Sequence, residues 1–422
     1  MPSGPFSISE HKVPCQYIRE YPHATAHSQE SALYLVVKRY KPTANPQSQS
    51  RGVTIIAATA NGMPKEVYEP LWEDLLNTCV LAGVAIKSIW IADMAQQGDS
   101  AVLNEQELGN DPNWFDHSRD LLNMMNIFRN DMPRPIIGIG HSLGAAQMVF
   151  LANMHPRLFS GVVLIDPLIV SGAFKSGAMI AKAATFRRDL WPSHAEAEKA
   201  VRKNPFFKKW DPRVVSQLAK CSFRQTPTLL HPGNEAGPVT LKTPKHQEAF
   251  TAYRPNWLDI GVENEASADE RRTHPDIDPA GVVKSPFYRP EARIAQYTLS
   301  ALRPPALFVF GSESEGSQPK QRKEKMAITG TGLGGSGGAR CGLIHEEVLS
   351  CGHFVPMEDV PGTAKAIARW LKPTIERWDR NENFLDGEWK TLSKTAKQSM
   401  NKQWLNEMRK WNGGPRPKQT KL

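Results

Sequence analysis

The 422-residue chain has few cysteines. Cys15, Cys79, Cys221, Cys341 and Cys351 are odd in number and far apart. No CxxC and no Cys/His pair has zinc spacing, which argues against a disulfide scaffold or structural zinc and for a reducing compartment. Long hydrophobic runs are missing too. The most apolar stretch, Gly161 to Val170, is broken by Asp166 and Pro167, well short of the ~20 residues a spanning helix needs. The first fifteen residues hold no apolar h-region, so no secretory leader is expected. There is no internal repeat and no basic stripe interleaved with aromatics. The net charge is +9, but residues 372–422 alone carry 12 Lys/Arg against 6 Asp/Glu. Most of the excess therefore sits in a terminal tail, and no nucleic-acid partner is expected. What is present suffices for a core: 40% of residues are hydrophobic and 23% charged. The length suits two or three domains, or one large α/β domain with insertions.

β-branched runs ended by turn residues predict strands at Leu33 to Tyr40, Val53 to Thr59, Val84 to Ile91, Pro135 to Gly140 and Gly161 to Ile165. Helical spacing predicts helices over Tyr68 to Leu81, Asp111 to Asn130 and Ser142 to Met154. Asp111-Pro112 reads as an N-cap followed by proline at N1. Near-continuous apolar strands are buried on both faces, so the predicted class is α/β, a mostly parallel sheet with helices on both sides. The pattern breaks from Ser171 to Arg303, where no strong strand appears. That stretch is too long for a loop and predicts a mainly helical cap, residues 171–303. The sheet resumes at Ala306 to Phe310 and closes with strand Ile344 to Leu349 and helix Gly362 to Leu371. Core residues are thus 1–170 and 304–372. Within the core, residues 311–341 include GTGLGGSGGAR and read as a flexible Gly-rich insertion, since no strand leads into the glycines. Residues 373–422 read as a helical extension and tail.

Gly140-His141-Ser142-Leu143-Gly144 matches G-x-S-x-G between an apolar strand and a helix. The Ser of such an elbow sits in a strained turn, and its glycines let strand and helix approach. Its hydroxyl needs a general base. His353, in Cys351-Gly352-His353-Phe354-Val355-Pro356-Met357-Glu358, follows the last strand at the same sheet edge as Ser142. His345 lies inside a strand, and the side chain of His141 should point away from the Ser142 oxygen. The acid that orients His353 is Asp166, directly after Gly161 to Ile165, or else Glu313 or Glu315 after Ala306 to Phe310. A rigid strand end before Pro167 favours Asp166. Two backbone N–H groups should hold the oxyanion: that of Leu143, and that of Ala60 or Asn61 after Val53 to Thr59. This chemistry is two-step acyl transfer from a carbonyl and needs no metal or organic cofactor.

The chain resembles the α/β-hydrolase family, with the cap inserted after the sixth strand of that fold. More narrowly it is similar to fungal peroxisomal serine hydrolases such as the yeast peroxisomal lipase and the hydrolases of AK-toxin biosynthesis. The stretches that carry this are Gly98-Asp99-Ser100-Ala101-Val102, Asn113-Trp114, Arg119-Asp120, Ile139-Gly140-His141-Ser142, Leu164-Ile165-Asp166-Pro167 and Gly237-Pro238-Val239. The resemblance implies a carboxylic ester hydrolase of lipase or esterase type in fungal lipid or toxin metabolism, and it supports Asp166 as the acid. An acyl-CoA thioesterase would use the same residues. A hydrolase-fold protein that only binds a ligand is the non-enzyme alternative. Epoxide hydrolases and haloalkane dehalogenases use an Asp nucleophile where this chain has Ser142. The sequence ends Thr420-Lys421-Leu422, which resembles the Ser-Lys-Leu address read by the peroxisomal import receptor. Peroxisomal location is therefore expected, with the cytoplasm as the alternative.

Overall fold

The strands that read as unbroken apolar runs are the buried middle of one eight-stranded sheet. In the computed structural model, which describes residues 4–44, 52–171, 176–233, 237–256, 272–277 and 286–411, these strands are β1 (Phe6–Pro14), β2 (Tyr34–Pro42), β3 (Val53–Ala58), β4 (Ile86–Ala92), β5 (Ile136–His141), β6 (Gly161–Ile165), β7 (Ala306–Gly311) and β8 (Ile344–Leu349). Their order is β1-β2-β4-β3-β5-β6-β7-β8. β2 runs antiparallel to both its neighbours, and every other pair is parallel. Every residue of β3, β5, β6 and β7 is buried. β8 lies at the edge and carries the exposed Glu346 and half-buried Glu347, a charge pattern that discourages edge pairing.

Of helices α1 (Glu69–Leu81), α2 (Gly98–Leu103), α3 (Trp114–Ile127) and α4 (Leu143–Met154), all but the short α2, which spacing does not predict, fall where apolar spacing places them. α4 is apolar all round because it is enclosed: Leu143 to Ala152 are all buried, and Phe150 stacks on Phe115 of α3 at 3.9 Å. α3 starts later than the sequence suggests. Its N-cap is Asn113, whose side chain accepts from the Phe115 N–H at 2.8 Å, so Asp111 and Pro112 lie outside the helix. Asp111 instead accepts from Arg254.

The stretch after β6 holds helices such as Ser176–Phe186, His194–Lys203 and Pro212–Cys221, and also strands. Leu190–Trp191, Phe223–Gln225 and Val239–Leu241 form a small antiparallel sheet over Trp191, Ala197, Phe223 and Val239. The stretch 311–341, expected from sequence as a flexible Gly-rich insertion, carries regular structure and backbone hydrogen bonds. It contains the helix Pro319–Ile328, and its glycines are tied down: Gly330 N–H donates to the Leu299 carbonyl, and Gly332 N–H to that of Ser300, both at 2.8 Å.

The five cysteines are free thiols. Among the described residues no helix is long and apolar enough to cross a membrane. Residues Met1–Thr374 and Ile375–Leu422 form two compact units. In the second, helix Lys402–Lys410 is capped by Asn401, which accepts from the Trp404 N–H at 2.8 Å. Thr420, Lys421 and Leu422 lie outside the described residues.

Candidate active site

The elbow's glycines are required by contact. A Cβ on Gly140 would lie 2.3 Å from the Gly144 carbonyl oxygen, and one on Gly144 would lie 2.4 Å from that of Ala58. Between them Ser142 takes φ +57°, ψ −115°, a strained backbone for a residue with a side chain. It is held by its N–H donating to the Ile165 carbonyl at 2.8 Å and its own carbonyl accepting from Leu168 N–H at 3.0 Å. The serine thus projects from the C-terminal end of β5 at the first turn of α4, where the Leu143 N–H is one of the helix's unsatisfied donors.

Three side chains from three loops meet here. Ser142 Oγ lies 2.8 Å from His353 Nε2, and His353 Nδ1 lies 2.5 Å from Asp166 Oδ2. Asp166 is buried, with φ +36° at the end of β6, and its N–H donates to the Val309 carbonyl of β7 at 2.8 Å. Burial alone would raise its carboxyl. The hydrogen bond and charge of His353, with hydroxyls of Ser314 and Ser317, hold it below the usual carboxylate range. His353 stands on the turn after β8. Gly311 lets that turn come close, since a Cβ there would lie 2.1 Å from the Gly352 oxygen.

The rival acids point elsewhere. Glu313 reaches Lys209 of the cap at 2.7 Å in an exposed ion pair, and Glu315 opens the short turn Glu315–Ser317. His345 is exposed and bonds the Gly342 carbonyl at 3.1 Å. His141 does point away from the Ser142 oxygen, and it has its own place. Ala60 N–H donates to Tyr68 Oη at 2.8 Å, Tyr68 Oη–H donates to His141 Nδ1 at 3.0 Å, and His141 Nε2–H donates to the His353 carbonyl at 3.1 Å. Burial, then the charge of His353, pushes His141 down to about 3, so the ring is neutral and this single polarity holds. The Ala60 N–H is therefore committed to Tyr68, and of the two residues expected to supply the second donor, Asn61 is the remaining candidate beside Leu143. Asn61 is fixed through its side chain to the Glu248 carbonyl at 3.0 Å and to Gln97 at 2.6 Å. Sequence reasoning missed Tyr68, because nothing in a helix entry marks a hydroxyl that serves a residue 73 positions away.

The loop after β3 is anchored from below by Lys65. Its buried ammonium lies 2.7 Å from Asp93, 2.7 Å from Asp99 and 3.0 Å from Glu66. Among the described residues these three carboxylates are the group close enough together to hold a metal ion, and the lysine already fills their centre. Lys38 on Glu66 and Lys242 on Asp99 complete the balance. Burial pushes the Asp93 carboxyl up, while burial of Lys65 is outweighed by its carboxylates, which raise the ammonium; with three anions around it the ammonium stays charged. The Gly98-Asp99-Ser100 stretch belongs to this cluster. Gly98 has φ +53°, and Ser100 Oγ donates to the Asp93 carbonyl at 3.0 Å. Arg119-Asp120 likewise serves structure, Asp120 accepting three bonds from Arg19.

Aromatic side chains from the stretch after β6 pack on the loop that carries His353. Phe206 and Trp210 meet Phe354 at 5.4 and 5.0 Å, and Asp211 N–H donates to the Met357 carbonyl at 2.8 Å. A cavity of about 290 Å³ is walled by Met63 and Pro64 after β3 and by Trp191, Phe207, Leu218 and Phe223 from the stretch after β6.

Comparison with known proteins agrees with this fold. Residues 72–364 match the family model described as alpha/beta hydrolase family. The chain is 38% identical over 404 residues to a type I acyl-CoA thioesterase, mpaH, of Penicillium roqueforti (strain FM164), covering 90% of this chain and 91% of that one. It is 39% identical over 410 residues to the type I acyl-CoA thioesterase mpaH' of Penicillium brevicompactum, covering 92% of each. The abhydrolase domain-containing protein AKT2 of Alternaria alternata is 27% identical over 277 residues, 65% of this chain and 97% of that one. Among solved structures, the peroxisomal alpha-beta-hydrolase Lpx1 of Saccharomyces cerevisiae superposes with a TM-score of 0.66 at 18% identity, over 94% of this chain and all of that one. An eight-stranded sheet with the serine elbow after β5 and a match through more than half its length make the chain a member of the α/β hydrolase family.

Proposed function

We propose that this α/β hydrolase cleaves acyl-CoA thioesters through an acyl-enzyme on Ser142. The observation that carries the hydrolytic part is the continuous run of short bonds from Ser142 Oγ through His353 to Asp166. Support for the thioester comes from the Penicillium relatives, whose names state that activity and which align over nine-tenths of this chain.

His353 Nε2 takes the Ser142 proton as Oγ attacks the acyl carbonyl. The new C–O bond forms, and the oxyanion is held by the N–H groups of Leu143 and Asn61. The imidazolium, steadied by Asp166, gives its proton to the departing sulfur as the C–S bond breaks. Water then enters, loses a proton to His353 and attacks the Ser142 ester. The carboxylic acid leaves and the proton returns to Oγ. A carboxylic ester presents the same carbonyl to the same serine, which makes simple ester hydrolysis the second reading.

The test compares decanoyl-CoA with p-nitrophenyl decanoate for wild type and Ser142→Ala, alongside labelling by a fluorophosphonate probe. Wild type is expected to label and to favour the CoA ester in kcat/KM by roughly tenfold or more, a margin that differential transition-state binding supplies. Ser142→Ala is expected to lose labelling and at least about 10³-fold in kcat. Preference for the aryl ester would shift the reading to an esterase, and a wild type that neither labels nor turns over would favour a ligand-binding role. Peroxisomal location is part of the same proposal. It draws on Thr420-Lys421-Leu422 and on the peroxisomal hydrolase that shares the fold. A fluorescent protein fused ahead of the chain should collect in peroxisomes and turn diffuse when those three residues are deleted.

A further inference from the structure

The loop after β7 could have supplied the acid, and it supplies hydroxyls instead. Ser314 Oγ–H donates to Asp166 Oδ2 at 2.5 Å, Ser317 Oγ–H donates to Asp166 Oδ1, and Gly311 N–H reaches the same Oδ1 at 3.3 Å. Both serines are buried, as is the carboxylate they face. The turn that carries them is closed by Ser314 N–H to the Gly311 carbonyl at 3.1 Å and Ser317 N–H to the Ser314 carbonyl at 3.2 Å. From the following helix the buried Lys325 ammonium donates to the Gly316 carbonyl at 3.1 Å, between the two serines. Gln318 and Arg322 hold the carbonyls of Ser314 and Ser317.

We propose that Ser314 and Ser317 are positioning residues that grip both oxygens of Asp166, fix its rotamer toward His353 and limit how strongly it draws the imidazole's proton. This rests on the serine-hydrolase reading above. A carboxylate with one partner would swing about its Cβ and give all its electron density to that partner. Here Oδ2 divides between an imidazole and a hydroxyl, and Oδ1 is occupied by a hydroxyl and a backbone N–H. The donors are neutral, so they orient the acid without competing for its charge as an arginine or lysine would. Few titratable groups face it: His353 directly, His141 behind it, the Cys351 thiol on the same turn, and Lys325 beneath, which donates to the Gly316 carbonyl and which burial pushes down to about 8 against the charge of Asp166. Losing the hydroxyls would therefore pass electron density to the imidazole, which would hold its proton to higher pH.

The experiment measures pH profiles of kcat and kcat/KM for decanoyl-CoA hydrolysis, and fluorophosphonate labelling rates, in full-length wild type, Ser314→Ala, Ser317→Ala, the double variant and Ser317→Thr. Each Ala is expected to lower kcat roughly tenfold, the worth of a hydrogen bond to a charged group, with KM within about twofold. In the double variant the acid limb of kcat/KM should move up by about one pH unit, and labelling should slow in parallel. Ser317→Thr keeps a hydroxyl and should retain most activity. A double variant with an unmoved limb and near-normal kcat would overturn the proposal. So would one whose limb stays put while kcat and thermal stability fall together and threonine fails to rescue. Ser142→Ala separates the two readings: if its labelling persists, the hydrolase reading has failed, whatever the Ser314 and Ser317 variants do.

Discussion

Asp166 and Asp93 are two buried carboxylates at the same edge of the sheet, one just past β6 and one just past β4, handled in opposite ways. Asp93 is saturated by charge. The Lys65 ammonium sits on it at 2.7 Å, and the Lys65 and Asp99 N–H groups each donate to it at 3.0 Å. Asp166 is surrounded by neutral donors, and its one ionisable hydrogen-bond partner is His353. A salt-bridged cluster of three carboxylates and a buried ammonium fixes a loop. A hydroxyl-lined carboxylate leaves an imidazole as the group whose charge can change during a reaction. The first arrangement serves the shape of the site, and the second serves its chemistry.

Breaking each side should separate the two roles. Asp166→Asn removes the charge and keeps the shape, so kcat is expected to fall by about 10⁴-fold, with urea unfolding changed far less. Lys65→Met should do the reverse. It strands Asp93 and its neighbours without their ammonium and is expected to cost about 3–5 kcal/mol in urea unfolding, the usual penalty for breaking a buried pair. Tyr68→Phe falls between them. It leaves the Ala60 N–H and His141 Nδ1 unpaired, at about 1–3 kcal/mol, and should lower kcat more than it raises KM. The smallest effect is in pH. The folded Asp166 sits below its ordinary carboxyl value, so its contribution to stability is complete above that ordinary value and lost as pH falls through the lowered one. Acid unfolding of Asp166→Asn followed by circular dichroism should lack that part of the drop below the ordinary carboxylate value. A mutant profile that parallels wild type over that range would contradict it.

Much of this was legible because sterics wrote it locally. Gly140, Ser142 and Gly144 lie within five residues, and a Cβ at either glycine would strike backbone. His353 could be placed because a histidine just past the last strand must reach the same edge. Asp166 could be preferred because a strand end holds a side chain rigidly. The clasp was out of reach. Ser314 and Ser317 meet Asp166 from 148 and 151 residues away, and a serine in a Gly/Ser-rich stretch has no local mark of burial. That stretch looked mobile because glycine lacks side-chain contacts, yet its N–H groups bond to carbonyls of Leu299 and Ser300, some thirty positions earlier. The cap's strands of two and three residues are too short for a periodicity to show. Asp111 mimicked an N-cap two residues ahead of Asn113, because an Asp before Pro satisfies the same local preference while its carboxylate is claimed by Arg254.

The narrow gap at Gly140 and Gly144 also says what a changing cap can leave alone. The reach of the nucleophile is set by backbone thickness, with no side chain whose size could drift and push it out of line. Side chains elsewhere around the site can therefore change while the attacking atom keeps its address, much as a lathe keeps its spindle when the tool is exchanged.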